Sequence, residues 1–266
     1  MKKKVLAVLL GGCMVAGLLA GCGGDEGTSS GGGDAATSEE GSGGGDYTFE
    51  VVVKSFQSTY WQAAIQGIDA AKEELGVKVN TTGPNAESDI ADQVNMLNNA
   101  ISQQPDGIAL AANDQNAVLD SLQDALDADI PVVCFDTGVP DAPEGSVIAT
   151  IATDNEAAGA VAAENMYPVI KDAIANADGQ VRIGEVNQEA TSANISGRGM
   201  GFINKMKELI EADGKTVAVI GNQFYVDQVE NNGDEGSADV IIEVAVPAQT
   251  TVELSATEAS NIMNKD

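Results

Sequence analysis

The stretch FEVVVKSFQSTYWQAAIQGIDAAKEELGVKVN, residues 49–80, decides the fold. Its opening run, Phe49 to Val53, is apolar and β-branched, as a buried strand would be. After a short polar turn, Trp61, Ala64, Ile65, Ile68, Ala71 and Leu75 recur at the spacing of one helix face. Gly76 stands where a helix end favours a left-handed residue, and Val77 to Val79 resumes the strand pattern. Strand, helix and strand in about 30 residues make one βαβ unit, the connection that parallel strands require.

The alternation continues outward. Ile90, Val94, Leu97 and Ile101 mark a second helix, and Gly107 to Ala111 a third strand. Asp114 is placed to cap a helix carrying Val118, Leu122 and Leu126. Ile130 to Phe135 is the fourth strand, with Pro131 at its tolerated start, and Val147 to Ile151 the fifth. Beyond Asp154, a second N-cap, a helix runs to about Met166, where Pro168 should end or kink it. Strands over Gln180 to Val186, Thr216 to Ile220 and Val240 to Val246 alternate with helices around Phe202 to Ile210 and over Thr251 to Asn264. The pattern predicts an α/β protein of two lobes with parallel sheets, residues 47–151 and 152–266, the boundary falling near Ile151 to Thr153.

Ahead of the folded part, Lys2 to Lys4 precede an apolar stretch, Val5 to Ala20, and then Leu19-Ala20-Gly21-Cys22. That order is a signal peptide, residues 1–21, and the stretch falls short of the about 20 apolar residues a membrane span needs. The Leu-Ala-Gly-Cys run resembles the bacterial lipobox, which makes Cys22 the acylated anchor; Cys13 reads as part of the apolar region. Residues 22–46 hold Gly, Ser, Asp, Glu, Ala and Thr with no large apolar side chain before Tyr47, the composition of a tether. The expected location is the outer face of the bacterial cytoplasmic membrane, through the lipid.

All 41 acidic residues follow the signal and three of the 13 basic ones lie within it. Nucleic acid is thereby excluded as a partner, since it demands clustered positive charge. The chain contains no histidine, which removes Ser-His and Cys-His nucleophile pairs and His-based zinc sites. No metal or cofactor is expected. Cys134, alone in the folded part, reads as a small buried apolar residue in its strand.

Several stretches together resemble the type I periplasmic binding proteins of ABC sugar transporters, of the ribose-binding kind. They are Tyr60-Trp61 with Gly67 and Gly76; Asp106-Gly107-Ile108 with Asp114; Ile130 to Val133 with Phe135-Asp136; Ile151 to Asn155 with Gly159; and Arg198 to Phe202. LacI-type repressors share the architecture, but they open on a basic helix-turn-helix where this chain has a lipobox. The resemblance implies two Rossmann-like lobes joined at a hinge, with a ligand held in the cleft between them. It implies ligand contacts from Ser58, Tyr60 and Trp61 after the first strand, the aromatic pair stacking on a sugar face; from Asn113 after the third strand; and from Asp136, whose carboxylate accepts hydroxyl hydrogen bonds. Two positions depart from the pattern. Ser196 and Thr137 stand where ribose-type proteins carry ligand-binding arginines, so both are expected to meet the ligand as neutral groups, and ribose itself fits poorly. In this family the second lobe also continues beyond the helix at Thr251 to Asn264, so the end at Asp266 reads as a truncation leaving that lobe incomplete, with an unpaired sheet edge after Val240 to Val246.

The expected function is a monomeric solute-binding lipoprotein, not an enzyme, that captures a sugar or sugar-like molecule for an ABC permease. A ligand-sensing subunit of a membrane signalling receptor is the alternative, and a glycosidase built on two of the 41 carboxylates is a third reading.

Overall fold

The computed structural model describes residues 46–265, which lie within one compact unit bearing two parallel sheets. The lipobox, both signal-region cysteines and most of the tether lie outside these residues. No described helix is long and apolar enough to cross a membrane.

The first sheet has five strands, β1 (Thr48–Val52), β2 (Lys78–Thr82), β3 (Gly107–Leu110), β4 (Val132–Phe135) and β5 (Val147–Ile151), in the order β2-β1-β3-β4-β5. Three helices connect them: α1 (Thr59–Leu75), α2 (Ile90–Ser102) and α3 (Leu119–Asp127). Strands β3 and β4 are apolar along their length because helices cover both faces of the sheet there. Val52, Leu110, Val132 and Cys134 pack with Leu97 and Leu122 on one face, while Val51, Val53 and Ala111 pack with Trp61 on the other. Gly76 ends α1 at φ 64°, its N–H donating to Lys72 O at 3.1 Å, as the sequence predicts. Asp114 caps differently from expectation. Its carboxylate accepts from the N–H groups of Asn116 and Ala117 and so closes the turn ahead of α3, whose own N-cap is Val118.

The second sheet has three strands, β6 (Val181–Val186), β7 (Val217–Gly221) and β8 (Val240–Ala245), with helices α4 (Asn155–Ala175), α5 (Ala193–Ala212), α6 (Gln223–Val226) and α7 (Val252–Met263). Two expectations are corrected here. Helix α4 runs through Pro168 without ending, because α4 lies along α5 and that packing outweighs one lost backbone hydrogen bond. And β8, expected to leave an unpaired edge, is the centre of the order β6-β8-β7, paired with both neighbours; the edges belong to β6 and β7. Its central place explains its burial, with Val240, Ile241 and Ile242 fully enclosed. Asp154 does cap α4, accepting from Ala157 N–H at 3.0 Å.

Candidate functional site

The carboxyl ends of strands from both sheets meet at one polar cleft. Residues that follow β1, β2, β6 and β8, among them Ser55, Asn85, Gln188 and Thr251, line a pocket of about 860 Å³ there. A second concavity, of about 340 Å³, lies beside Asp136 and Asn194. An apolar groove of about 340 Å³ lies on the first sheet nearer the amino ends of its strands, around Phe49, Val77 and Gly107. Open α/β sheets bind ligands at the carboxyl ends, which selects the cleft.

Gln93 of α2 builds the floor. Its Nε2 donates to the carbonyls of Val53 and Ala111, and its Oε1 accepts from Asn113 N–H at 2.8 Å, tying the ends of β1 and β3 together. Asn113, thus fixed and 3 % exposed, donates through Nδ2 to Lys54 O, while its Oδ1 has no partner among the described residues. A buried acceptor of this kind costs free energy unless something donates to it. Asp136 follows β4 at φ 61°, a left-handed backbone that turns its carboxylate out of the strand line. One oxygen accepts from Tyr60 OH at 2.8 Å and the other from Asn194 Nδ2 at 2.9 Å and Thr137 Oγ1 at 3.2 Å. The bond to Asp136 raises the Tyr60 pKa, with burial adding to it.

Sequence reasoning missed Lys54. It follows β1 directly, is 2 % exposed, and donates through Nζ to Asn194 Oδ1 at 3.0 Å. Burial lowers its pKa, opposed by the charges of Glu189, Glu87 and Asp136. The cleft therefore holds a buried ammonium, a cation that the sequence reading did not include among the site residues. A basic residue straight after the apolar run Val51-Val52-Val53 was the available signal.

The other wall is the segment between β6 and α5. Glu189 folds it, accepting from Thr191 Oγ1 at 2.8 Å and from Ser192 N–H at 2.9 Å. The segment then reaches the first sheet through Gln188 Nε2 to Glu87 Oε2 at 2.7 Å and Thr191 Oγ1 to Asn113 O at 3.2 Å. Beneath it Glu185 is half-buried, with Oε1 accepting from Asn187 and the buried Oε2 unpartnered, and desolvation raises its pKa to about 7.

The expected site residues divide. Tyr60, Asn113, Asp136 and Thr137 come together at the cleft, and Ser58 lines the pocket beside Glu87. Trp61 is 2 % exposed and packs edge-on against Phe135, its Nε1 donating to Glu87 Oε1 at 2.9 Å, so its ring belongs to the core of the first sheet. Ser196 turns back into α5, donating to Ser192 O at 3.0 Å. Arg198 donates to Asn155 Oδ1 at 2.6 Å, and its charge acts on Tyr60 against the effect of Asp136.

A family model for a periplasmic binding protein domain matches residues 49–250. Among solved structures, an ABC transporter, LacI family transcriptional regulator from Brachyspira murdochii is 32% identical at TM-score 0.61, the match covering 81% of this chain and 62% of that one. An ABC transporter solute binding protein from Agrobacterium vitis with bound D-fucose is 28% identical at TM-score 0.54, over 67% of this chain and 68% of that one. The Escherichia coli ABC transporter periplasmic-binding protein YphF is 28% identical over 78 residues, 29% of this chain and 24% of that protein. The match thus spans about a quarter of this curated relative.

Proposed function

Because the chain belongs to the periplasmic binding protein domain family, we propose that it is a solute-binding protein that captures a neutral sugar-like molecule in the cleft and delivers it to an ABC permease. It makes and breaks no bond in that ligand. Export and acylation of Cys22 keep it at the outer face of the membrane, near the permease it serves.

One arrangement supports this reading. Three neighbouring strands, β1, β3 and β4, present Lys54, Asn113 and Asp136 at their carboxyl ends, and Tyr60 and Asn194 lean on the same carboxylate. The set mixes a cationic donor, an anionic acceptor and an unpartnered neutral acceptor, which matches the alternating donors and acceptors of a polyol. A thermal-shift titration of the purified chain with D-fucose, D-galactose, D-xylose, D-arabinose and D-ribose tests it. At least one sugar raises the melting temperature in a saturable way. A flat response to all five overturns the reading.

A further inference from the structure

The side chain of Asn194 has an unusual position. It is the second residue of α5, on the far wall of the cleft, yet both ends of its carboxamide reach groups of the near wall. Its oxygen accepts from Lys54 Nζ at 3.0 Å and its nitrogen donates to Asp136 Oδ2 at 2.9 Å. Among the described residues Asn194 is the one hydrogen-bond partner of the Lys54 ammonium, which forms no ion pair there. A buried ammonium facing one neutral acceptor is under-satisfied, since it has three hydrogens to give. Asn113, whose Nδ2 donates to the Lys54 carbonyl, has its own Oδ1 buried and unpartnered among the described residues.

Resting on the cleft reading above, we propose that Asn194 is a stand-in for the ligand: its carboxamide occupies the place of two adjacent ligand hydroxyls and latches the two walls together until a vicinal diol displaces it. The chemistry of the two groups corresponds. An amide offers an acceptor and a donor side by side, and two neighbouring hydroxyls offer the same pair at little greater separation. The diol does more than the amide, because each hydroxyl both donates and accepts. One oxygen accepts from Lys54 while its own hydrogen is free for Asn113 Oδ1, and the other donates to Asp136. Glu87, Glu189 and Asp136 outnumber Lys54 as charges near this point, so a neutral diol is admitted more readily than a sugar acid or sugar phosphate.

A ligand that must displace an internal competitor binds more weakly than the site allows, by the fraction of time the site is vacant. Removing the competitor therefore strengthens binding. Asn194→Ala and Asn194→Ser are each too short to bridge Lys54 and Asp136, and two variants guard against a folding defect in one. Titration calorimetry with the five neutral sugars, 2-deoxy-D-ribose, 2-deoxy-D-galactose and D-galacturonate is the test. For whichever neutral sugar binds the unaltered chain, both variants bind it about 3- to 10-fold tighter, the range of one displaced hydrogen-bonded contact. The analogue lacking one hydroxyl of the pair loses about 10-fold or more, and D-galacturonate binds more weakly than D-galactose. Equal or weaker binding by both variants makes Asn194 an ordinary contact or a bystander and overturns the latch while leaving the cleft reading standing. Equal affinity for the deoxy analogues overturns the diol. Failure of every neutral sugar to bind all three proteins removes the latch and the cleft reading together.

Discussion

Gly159 of α4 and Gly201 of α5 let the two helices cross with their backbones in contact: a Cβ on Gly159 would lie 2.0 Å from Arg198 O, and one on Gly201 would lie 2.1 Å from Glu156 O. Neither obstacle is a side chain that can swing away. The crossing fixes α5, and with it the helix start that carries Asn194.

Gly201→Ala is therefore expected to lower stability by at least about 3 kcal/mol, since it forces two packed helices apart. Gly197, at the same helix, has only side-chain atoms beyond 3.5 Å as neighbours, and Gly197→Ala should cost far less. Chemical denaturation of both variants checks the contrast. Similar midpoints would mean that the helices slide past each other at little cost.

The aromatic pair after β1 separates into two roles. Trp61 is enclosed, so Trp61→Ala should cost about 3 to 5 kcal/mol of stability through the cavity it leaves. Tyr60 is 59 % exposed, so Tyr60→Ala should change stability by no more than about 0.5 kcal/mol. It should still weaken sugar binding about 10-fold, by removing the apolar platform beside Asp136. A large loss of stability in the Tyr60 variant, or none in the Trp61 variant, would reverse the assignment.

Much of this was legible beforehand. Runs such as Val51-Val52-Val53 and Ile241-Ile242 announce buried strands by composition, and Gly76 and Asp154 announce helix ends by their local chemistry. Strand order is a different matter. That β8 lies between β6 and β7 depends on pairings between residues more than 20 positions apart, and nothing in Val240 to Ala245 distinguishes a central strand from an edge strand with a buried face. The continuity of α4 through Pro168 likewise depends on α5. In the cleft, Asp136 and Tyr60 were named beforehand through the family resemblance. Lys54 left one faint signal, a basic residue straight after an apolar run, and Asn194 left none, because lysine and asparagine are ordinarily surface residues and their burial is a property of the two walls meeting.

Glu185 gives a pH dependence. Its pKa in the fold is about 7 against an ordinary 4.5, so between those values the unfolded chain is ionised while the folded chain keeps its proton. The stability contributed by the retained proton is fully present below about 4.5, is lost as pH rises through that interval, and is gone above about 7. The difference in unfolding free energy between the unaltered chain and Glu185→Gln should therefore move against the unaltered chain from pH 5 to pH 8, by at most about 3 kcal/mol. Denaturation curves of the two proteins that stay parallel across that interval would show that Glu185 is ionised in the fold.

Cys22 offers a simple partition. If the Leu19-Ala20-Gly21-Cys22 run is processed as a lipobox, Cys22→Ser abolishes acylation and moves the protein from the membrane fraction to the soluble one, while Cys13→Ser leaves the partition unchanged. Fractionation of expressing bacteria, read by immunoblot, checks both. Retention of the Cys22 variant in the membrane would rule out the lipid anchor at that residue.

Lys54 tests whether the cleft is kept for binding or for stability. Its lowered pKa means that burial penalises the ammonium by more than Glu189, Glu87 and Asp136 repay, so the charge is a net cost to the fold at neutral pH. Methionine nearly matches the lysine stem in length and carries no charge, and Asn194 can re-form part of its bonding through Asp136 alone. Lys54→Met should then leave stability unchanged or raise it by about 1 kcal/mol, in keeping with buried charges replaced by apolar groups of similar shape. Sugar binding should fall at least about 10-fold, because the ligand loses its one cationic donor. A residue that costs the fold and serves the ligand shows this opposition of signs. If Lys54→Met instead unfolds the protein at ordinary temperatures while the residual folded fraction binds sugar normally, Lys54 is a strut between the two walls and the ligand contacts lie elsewhere in the cleft.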